Sequence, residues 1–250
     1  MLARTWLEHD RLILASGLIG ITALGWTYLV YDVQTNHCGR MMAPAASPWT
    51  LATFTLIFAM WAIMMIAMMV PSAAPMLLTF AAVNTARQKS SRPYVPTSVF
   101  LLGYLIVWSA FSAVATIVQW ALQRTALLSA TFESASPVLT GVILIAAGGF
   151  QFTPLKNRCL KHCHVPFEFI TAQWREGHAG ALMMGLRHGA YCVGCCWAIM
   201  ALLFVAGVMN LWWIALLSVF VLAEKLYPRF FSRPLGPVLV IAGVWFLMRH

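Results

Sequence analysis

Residues 178–209, HAGALMMGLRHGAYCVGCCWAIMALLFVAGVM, are the stretch that decides the architecture of this chain. From Gly189 to Val208 the stretch is apolar and long enough to cross a membrane as a helix. On a helix, residues four apart lie on the same face. A stripe of metal-ligand side chains therefore runs along it: Met184, His188, Cys192, Cys196 and Met200, with Cys195 one step aside.

The chemistry of this stripe predicts a transition-metal site. Thiolate, thioether and imidazole groups suit Cu(I), and Zn(II) also accepts thiolate and imidazole. We therefore expect copper, with zinc as the alternative metal. Cysteine and methionine are also common in buried helix packing, so a purely structural stripe is the competing interpretation. Three cysteines within five residues favour the metal site, because ionisable groups inside membranes usually have a function.

The composition predicts an all-α integral membrane protein. The 250 residues are 61% hydrophobic and only 9% charged, and the mean hydropathy is +0.80, which is far from the composition of soluble domains. Apolar runs between short polar loops favour helices over a barrel. The excess of Lys and Arg lies in the loops, so it indicates membrane topology and not nucleic-acid binding.

The apolar runs predict one transmembrane domain, residues 1–250, with about seven helical crossings. The first is expected to be a retained helix and not a cleaved signal peptide. Thirteen Lys and Arg fall on one side and three on the other if the N-terminus is inside, so we expect that orientation in a bacterial inner membrane. The predicted crossings are residues 12–31, 49–70, 97–123, 138–152, 189–208, 211–227 and 235–248.

Two loops carry further candidate ligands. His37 and Cys38 lie in the predicted outer loop, and the hydrophilic stretch 153–177 places Cys159, His162 and Cys163 within five residues. On a helix Cys159 faces both of the latter two, which is close enough for two or three ligands to one metal. Either cluster is also compatible with a chance grouping. The second gains weight because it lies near the Cys192 stripe in sequence.

Methionines in the second predicted crossing form rows at helical spacing. Met60, Met64 and Met68 recur every fourth residue before the prolines at 71 and 75, which we expect to kink or end the helix. Thioether rows can pass Cu(I) along a path, and they can equally fill irregular gaps in a core. Glu224 near the end of the sixth crossing is expected to pair or to reach the interface, with a metal or proton role as the alternative.

Three motifs resemble a bacterial family of predicted metal-binding integral membrane proteins. The motifs are WAIMMIAMMVPSAAPM at 61–76, FQFTPLKNRCLKHCHVPFEF at 150–169 and the segment around YCVGCCW at 191–197. They carry the family patterns WxxMxxAMMxPSxxPM and YCxGCCW, and the resemblance covers roughly residues 50–228. It implies metal binding in a membrane and no particular reaction.

The sequence leaves three functions open. The first is transport of a soft metal, or its delivery to a partner such as a membrane oxidase or monooxygenase. The second is a thiol oxidoreductase that uses the C-x-x-C of Cys192 and Cys195. The third is an accessory subunit of a larger membrane complex, or a homo-oligomer, in which the cysteines only pack. No hydrolase or phosphate-binding motif is evident, so an enzyme is not predicted.

Overall fold

The computed structural model describes residues 2–35, 49–88, 95–128 and 136–249. In these ranges the chain forms ten helices and no β-strand, which confirms the predicted all-α class. The helices are α1 (Leu2–Thr35), α2 (Leu51–Gln88), α3 (Thr97–Arg124), α4 (Pro137–Phe150), α5 (Pro154–His164), α6 (Pro166–Gln173), α7 (Gly177–Ala201), α8 (Leu203–Ala206), α9 (Leu211–Leu226) and α10 (Pro228–Met248).

Five of the described segments are long and apolar enough to cross a membrane. They are Leu12–Thr35, Leu51–Gln88, Thr97–Arg124, Gly177–Ala206 and Phe230–Met248. The pair α4 and α5 makes a sixth candidate if its 66° bend belongs to one broken crossing. Helix α9 has 16 residues, which gives about 24 Å against a hydrocarbon core of about 30 Å. The chain is therefore an apolar helical protein with five or six candidate crossings.

Helix α2 is longer than the sequence predicts. The predicted crossing ends at residue 70, but the helix continues through Pro71 and Pro75 to Gln88. A proline removes one backbone N–H and thereby leaves a carbonyl of the preceding turn without its helical partner. Side chains donate to other carbonyls of this region, Ser72 Oγ to Met69 O at 2.9 Å and Thr79 Oγ1 to Pro75 O at 2.7 Å. The expected end at the prolines is wrong because surrounding protein covers this part of the helix.

Two other predicted boundaries also change, and the hydrophilic stretch between two predicted crossings is helical. Helix α7 begins at Gly177 and not at 189, so its N-terminal half extends the helix ahead of the apolar run. The stretch 153–177 is largely helical, with Thr153 Oγ1 capping α5 by accepting from Lys156 N at 3.3 Å. Helix α10 begins at Pro228 and has 21 residues, where the sequence predicts a short crossing from 235. Proline suits the first turn of a helix, which explains this earlier start.

Helices α3 and α7 pack with their backbones in direct contact. A Cβ atom on Gly185 would stand 2.0 Å from Phe100 O, and one on Gly103 would stand 2.4 Å from Leu182 O. Small residues that let helix backbones touch are typical of packing inside membranes. This contact brings the buried face of α3, including Tyr104, against the cysteine stripe of α7.

Candidate metal centre

Five free cysteines lie buried in two neighbouring helices. Cys159 and Cys163 belong to α5, and Cys192, Cys195 and Cys196 belong to α7. Helix α7 turns its predicted stripe inward: Met184, His188, Cys192, Cys196 and Met200 are all buried. Burial of the whole stripe agrees with the helical period of 3.6 residues, which places these side chains on one face. No disulfide joins the five described cysteines.

Cys192 is the sulfur around which the other groups gather. Lys225 Nζ donates to Cys192 Sγ at 3.0 Å, and the Tyr104 hydroxyl lies 3.2 Å from the same sulfur. The side chains of Cys163, Cys195 and Cys196 lie next to this sulfur. An ammonium group beside a thiol stabilises the thiolate, the form that binds metals.

Two of these thiols also contact the backbone of their own helix. Cys195 Sγ donates to Cys192 O at 3.1 Å, and Cys196 Sγ donates to the same carbonyl at 2.9 Å. In this arrangement no group of three His, Cys, Asp or Glu side chains within the described ranges forms a ready ligand set around one point. To bind a metal, at least one of these thiols has to turn from the carbonyl toward the ion.

The Tyr104 hydroxyl connects Cys192 to helix α2. Its oxygen lies 3.1 Å from Met69 O and 3.2 Å from Cys192 Sγ. The hydroxyl has one proton, so it donates to one of these acceptors at a time. When it donates to the carbonyl, its oxygen is free to accept from the Cys192 thiol. Tyr104 can therefore hydrogen-bond to Cys192 both when Cys192 is a thiol and when it is a thiolate.

Helix α5 places its two thiols beside α7. The side chain of Cys163 lies next to those of Cys192 and Cys195. Cys159 reaches the same turn of α7 at Gly194, where a Cβ atom would stand 2.9 Å from Cys159 Sγ. The absence of a side chain at 194 therefore permits the close approach of Cys159. The sulfurs of two segments that are distant in sequence meet in one place.

His188 is buried among aromatic rings. Its side chain is 1% exposed, and neither Nδ1 nor Nε2 has a hydrogen-bond partner among the described residues. The ring stacks on Tyr104 with centroids 5.5 Å apart, and Phe100 and Phe169 lie at 6.0 and 5.7 Å. A buried polar group without a partner costs free energy, so two such nitrogens in one ring call for a functional explanation. A metal ligand one turn before Cys192 is one such explanation.

Lys225 is one of three groups of this site that the sequence did not single out, with Tyr104 and Ser72. It is 4% exposed, and its Nζ also donates to Ser72 Oγ at 2.7 Å. The neighbouring acid, Glu224, pairs with Lys156 Nζ at 2.7 Å and accepts from Ser232 Oγ at 2.7 Å. Pairing is what the sequence predicted for Glu224. Because Glu224 is engaged with Lys156, Lys225 donates instead to two other acceptors, Cys192 Sγ and Ser72 Oγ.

Sequence signals for Tyr104, Ser72 and Lys225 were weak. Ser72 belongs to the PSAAP segment and Tyr104 to an ordinary apolar helix, and neither residue type is a typical metal ligand. Lys225 was visible as a lysine near the end of an apolar run, which usually indicates a charge that reaches the interface. Its burial depends on α9 meeting α2 and α7, and that meeting is a tertiary feature.

The methionine rows lie in the core of α2. Met60, Met64 and Met68 are fully buried, and so are Met65 and Met69. Ser218 Oγ of α9 donates to Met68 O at 3.4 Å, and Tyr104 reaches Met69 O. The backbone at one end of the rows is therefore next to the Cys192 neighbourhood. Their role as a metal path stays a prediction.

The remaining predicted ligands are placed elsewhere or not described. His162 stacks on Tyr191, with ring centroids 4.2 Å apart, and lines a surface cavity of about 250 Å³ with Arg158, Lys161 and Glu168. These are neighbours of His162 among the described residues, and its role as a metal ligand beside Cys159 and Cys163 stays a prediction. His37 and Cys38 lie outside the described residues.

Comparison with known proteins supplies one match. Residues 58–246 match the family PpoB2, which is described as a copper chaperone. Of the five helices of the thiol site, the matched range contains α3, α5, α7 and α9 completely and α2 from residue 58 onward. No curated protein and no solved structure matches the chain.

Proposed function

We propose that this chain, which belongs to the PpoB2 copper chaperone family, binds Cu(I) at a buried thiol site centred on Cys192 and passes it to a partner. Family membership supports copper binding. The observation that carries the location is the meeting of Cys163 with Cys192, Cys195 and Cys196 beside Lys225. Cu(I) is the cargo of the site and not a resident cofactor.

The donor set fits Cu(I) in its chemistry. Cysteine thiolates and methionine thioethers are soft ligands, which Cu(I) prefers. Cys192 contributes the first thiolate, and rotation of Cys196 or Cys163 brings a second sulfur to the ion. His188 offers an imidazole whose two nitrogens have no other partner. In our proposal Cys159 is an accessory thiol at the α5 side, where metal is received or released.

The membrane setting supports transport or delivery within the bilayer. The cysteines of α7 lie in the apolar segment Gly177–Ala206. We propose a single domain with about seven crossings, the N-terminus inside, in a bacterial inner membrane. A site made of neutral thioethers and paired thiolates avoids leaving an unpaired charge in an apolar interior. The methionines Met60, Met64, Met68 and Met200 then form the path between the outer side and the thiols, where the outer pair His37 and Cys38 admits the metal.

A membrane oxidase or monooxygenase is the partner that we propose for delivery. Such enzymes need copper inserted into sites within or beside the membrane, and a buried carrier releases it there without exposing Cu(I) to water. A homo-oligomer is a further arrangement compatible with the exposed apolar helix faces, for example Trp212 and Leu216 on α9.

Copper titration of purified protein tests the function. The protein in detergent is titrated with Cu(I) against a chromophoric Cu(I) chelator, first as wild type and then as Cys192→Ser. We expect one tightly bound Cu(I) per chain and a loss of at least roughly 100-fold in affinity in the variant, because one of the main ligands is removed. Gly149→Ala is the matched control, since a Cβ atom there meets open space.

Two outcomes contradict the proposal. Equal Cu(I) binding by wild type and Cys192→Ser places the metal elsewhere. Absence of Cu(I) binding, together with a disulfide between Cys192 and Cys195 in acid-trapped cells, favours the thiol oxidoreductase instead. X-ray absorption of the loaded wild type is expected to show sulfur ligands, and a shell of oxygen alone rejects the thiol site.

A further inference from the structure

We propose that Lys225 is a specificity-determining residue, which makes the thiol site favour a monovalent over a divalent cation. The inference rests on the function proposed above and adds a physical reason why the site would prefer Cu(I) to a divalent ion. Lys225 lies on α9, outside the cysteine motifs, and is not expected to ligate a metal while it is protonated.

The ammonium group is fixed in the interior next to the metal-binding sulfur. Lys225 is 4% exposed, and its Nζ is held between Cys192 Sγ at 3.0 Å and Ser72 Oγ at 2.7 Å. Ser72 is itself tied to α2 through its bond to Met69 O. The charge therefore has a defined position.

The surrounding charges do not neutralise Lys225 in another way. Glu224, the adjacent acid, lies 2.7 Å from Lys156 Nζ and accepts from Ser232. Lys156 and Glu224 are both almost completely buried, so this second pair is locally balanced. Glu224 therefore does not balance the charge of Lys225, and the ammonium group lies against the Cys192 sulfur.

A metal on Cys192 lies close to this charge. A metal–sulfur bond is about 2.3 Å long, so an ion on Sγ is at most about 5 Å from Nζ if Lys225 stays in place. The repulsion between two charges is proportional to their product, so a divalent ion experiences twice the repulsion of a monovalent one. Because the site is shielded from water, this difference is larger than it would be at the surface.

The ratio of two affinities isolates this effect. Removing Lys225 also changes how readily Cys192 becomes a thiolate, but the same sulfur serves both metals, so that change largely cancels in the ratio. What remains is the difference in repulsion between Zn(II) and Cu(I). At about 5 Å and an effective dielectric constant of about 20, it corresponds to a change of roughly 100-fold or more in relative affinity.

The test measures Cu(I) and Zn(II) dissociation constants on full-length protein in detergent. The uncharged variants are Lys225→Met, which keeps the length of the side chain, and Lys225→Gln, which keeps a hydrogen-bond donor for Ser72. Lys225→Arg keeps the charge. Lys161→Met is the matched control, because Lys161 is an exposed lysine on α5. Thermal unfolding shows which variants retain the fold.

We expect the preference for Cu(I) over Zn(II) to fall by roughly 100-fold or more in Lys225→Met and Lys225→Gln. The preference is expected to persist in Lys225→Arg and Lys161→Met. An unchanged ratio in folded Lys225→Met or Lys225→Gln overturns this inference while the proposed function stands. A wild type that binds no Cu(I) removes the proposed function and the inference together.

Discussion

Lys225 and Cys192, which lie 33 residues apart in the chain, meet in the protein interior with Nζ 3.0 Å from Sγ. The contact joins α9 to the cysteine stripe of α7, and Ser72 adds α2 through the same ammonium group. A buried ammonium group costs free energy unless a partner compensates for it. The cysteine motif is therefore part of a charged arrangement that four helices build, since Tyr104 of α3 also contacts Cys192.

His188→Phe separates a ligand from a packing residue. Phenylalanine suits the surroundings of Phe100, Tyr104 and Phe169, and it removes two buried nitrogens that have no partner. We expect the thermal stability of the metal-free protein to stay equal or to rise, by up to about 2 kcal/mol. If His188 binds the metal, Cu(I) affinity falls by roughly tenfold or more, as chelator competition measures. Unchanged affinity assigns His188 to packing alone.

Gly194→Ala tests the approach of α5 to α7. The new Cβ atom would stand 2.9 Å from Cys159 Sγ, so that side chain has to rotate or α5 has to move slightly. We expect a loss of about 1 kcal/mol in stability and faster alkylation of Cys159 by a thiol reagent, measured by peptide mass spectrometry. Gly149→Ala on α4 is the control. Identical Cys159 labelling in wild type and variant argues that the contact at Gly194 does not hold this thiol.

Gly185→Ala tests the backbone contact of α3 and α7. Its Cβ atom would overlap Phe100 O at 2.0 Å, and a backbone carbonyl cannot move aside as a side chain can. Separation of the two helices is expected to lower stability by about 3 kcal/mol and to shift Tyr104 away from Cys192. Thermal unfolding in detergent measures the first effect. A variant as stable as Gly149→Ala contradicts this packing.

The buried pair of Lys156 and Glu224 is the subject of the fourth prediction. Lys156 Nζ lies 2.7 Å from Glu224 Oε1, and the two side chains are 0% and 1% exposed. Glu224→Gln leaves the buried ammonium group of Lys156 without its counter-charge, so we expect the free energy of unfolding to fall by about 3–5 kcal/mol. The double variant Lys156→Met, Glu224→Met removes both charges and is expected to recover much of the stability. Urea unfolding of the single variants Lys156→Met and Glu224→Met, of Glu224→Gln and of the double variant provides the comparison.

Non-additivity is the decisive result for that pair. If the double variant is as unstable as the sum of the two single variants, the two groups do not interact in the folded protein. Recovery in the double variant indicates that the pair fixes α5 to α9. Through α5 it then also holds Cys159 and Cys163 near the thiol site.

Some features of the site were accessible from the sequence because they are local. The four-residue spacing of Met184, His188, Cys192, Cys196 and Met200 fixes one helix face, and all five side chains are buried. The cysteines at 159 and 163 gained weight as candidate ligands because they lie near those at 192–196 in sequence. In the structure Cys163 lies beside Cys192 and Cys195, and metal binding by these thiols stays a prediction. Apolar run lengths likewise predicted the helical class.

Other features were misjudged because they depend on neighbours. Proline at 71 and 75 argued for a helix end, yet α2 continues because adjacent protein covers it. His162 shares a short segment with Cys159 and Cys163, and the packing of its ring on Tyr191 beside a surface cavity could not be read from that segment. A spacing on one helix gives the relative directions of side chains and leaves open which of them faces a partner helix.

By itself, the sequence determined that the chain is helical and apolar and that cysteine, histidine and methionine share a buried face, because hydropathy and helical period are properties of consecutive residues. Only the tertiary structure decided that Cys192 is the centre, with Lys225, Ser72 and Tyr104 around it. Those contacts join residues 33, 88 and 153 positions apart. Their meeting depends on which helices pack together, and glycine contacts such as that of Gly185 with Phe100 set this packing at a distance from the motif itself.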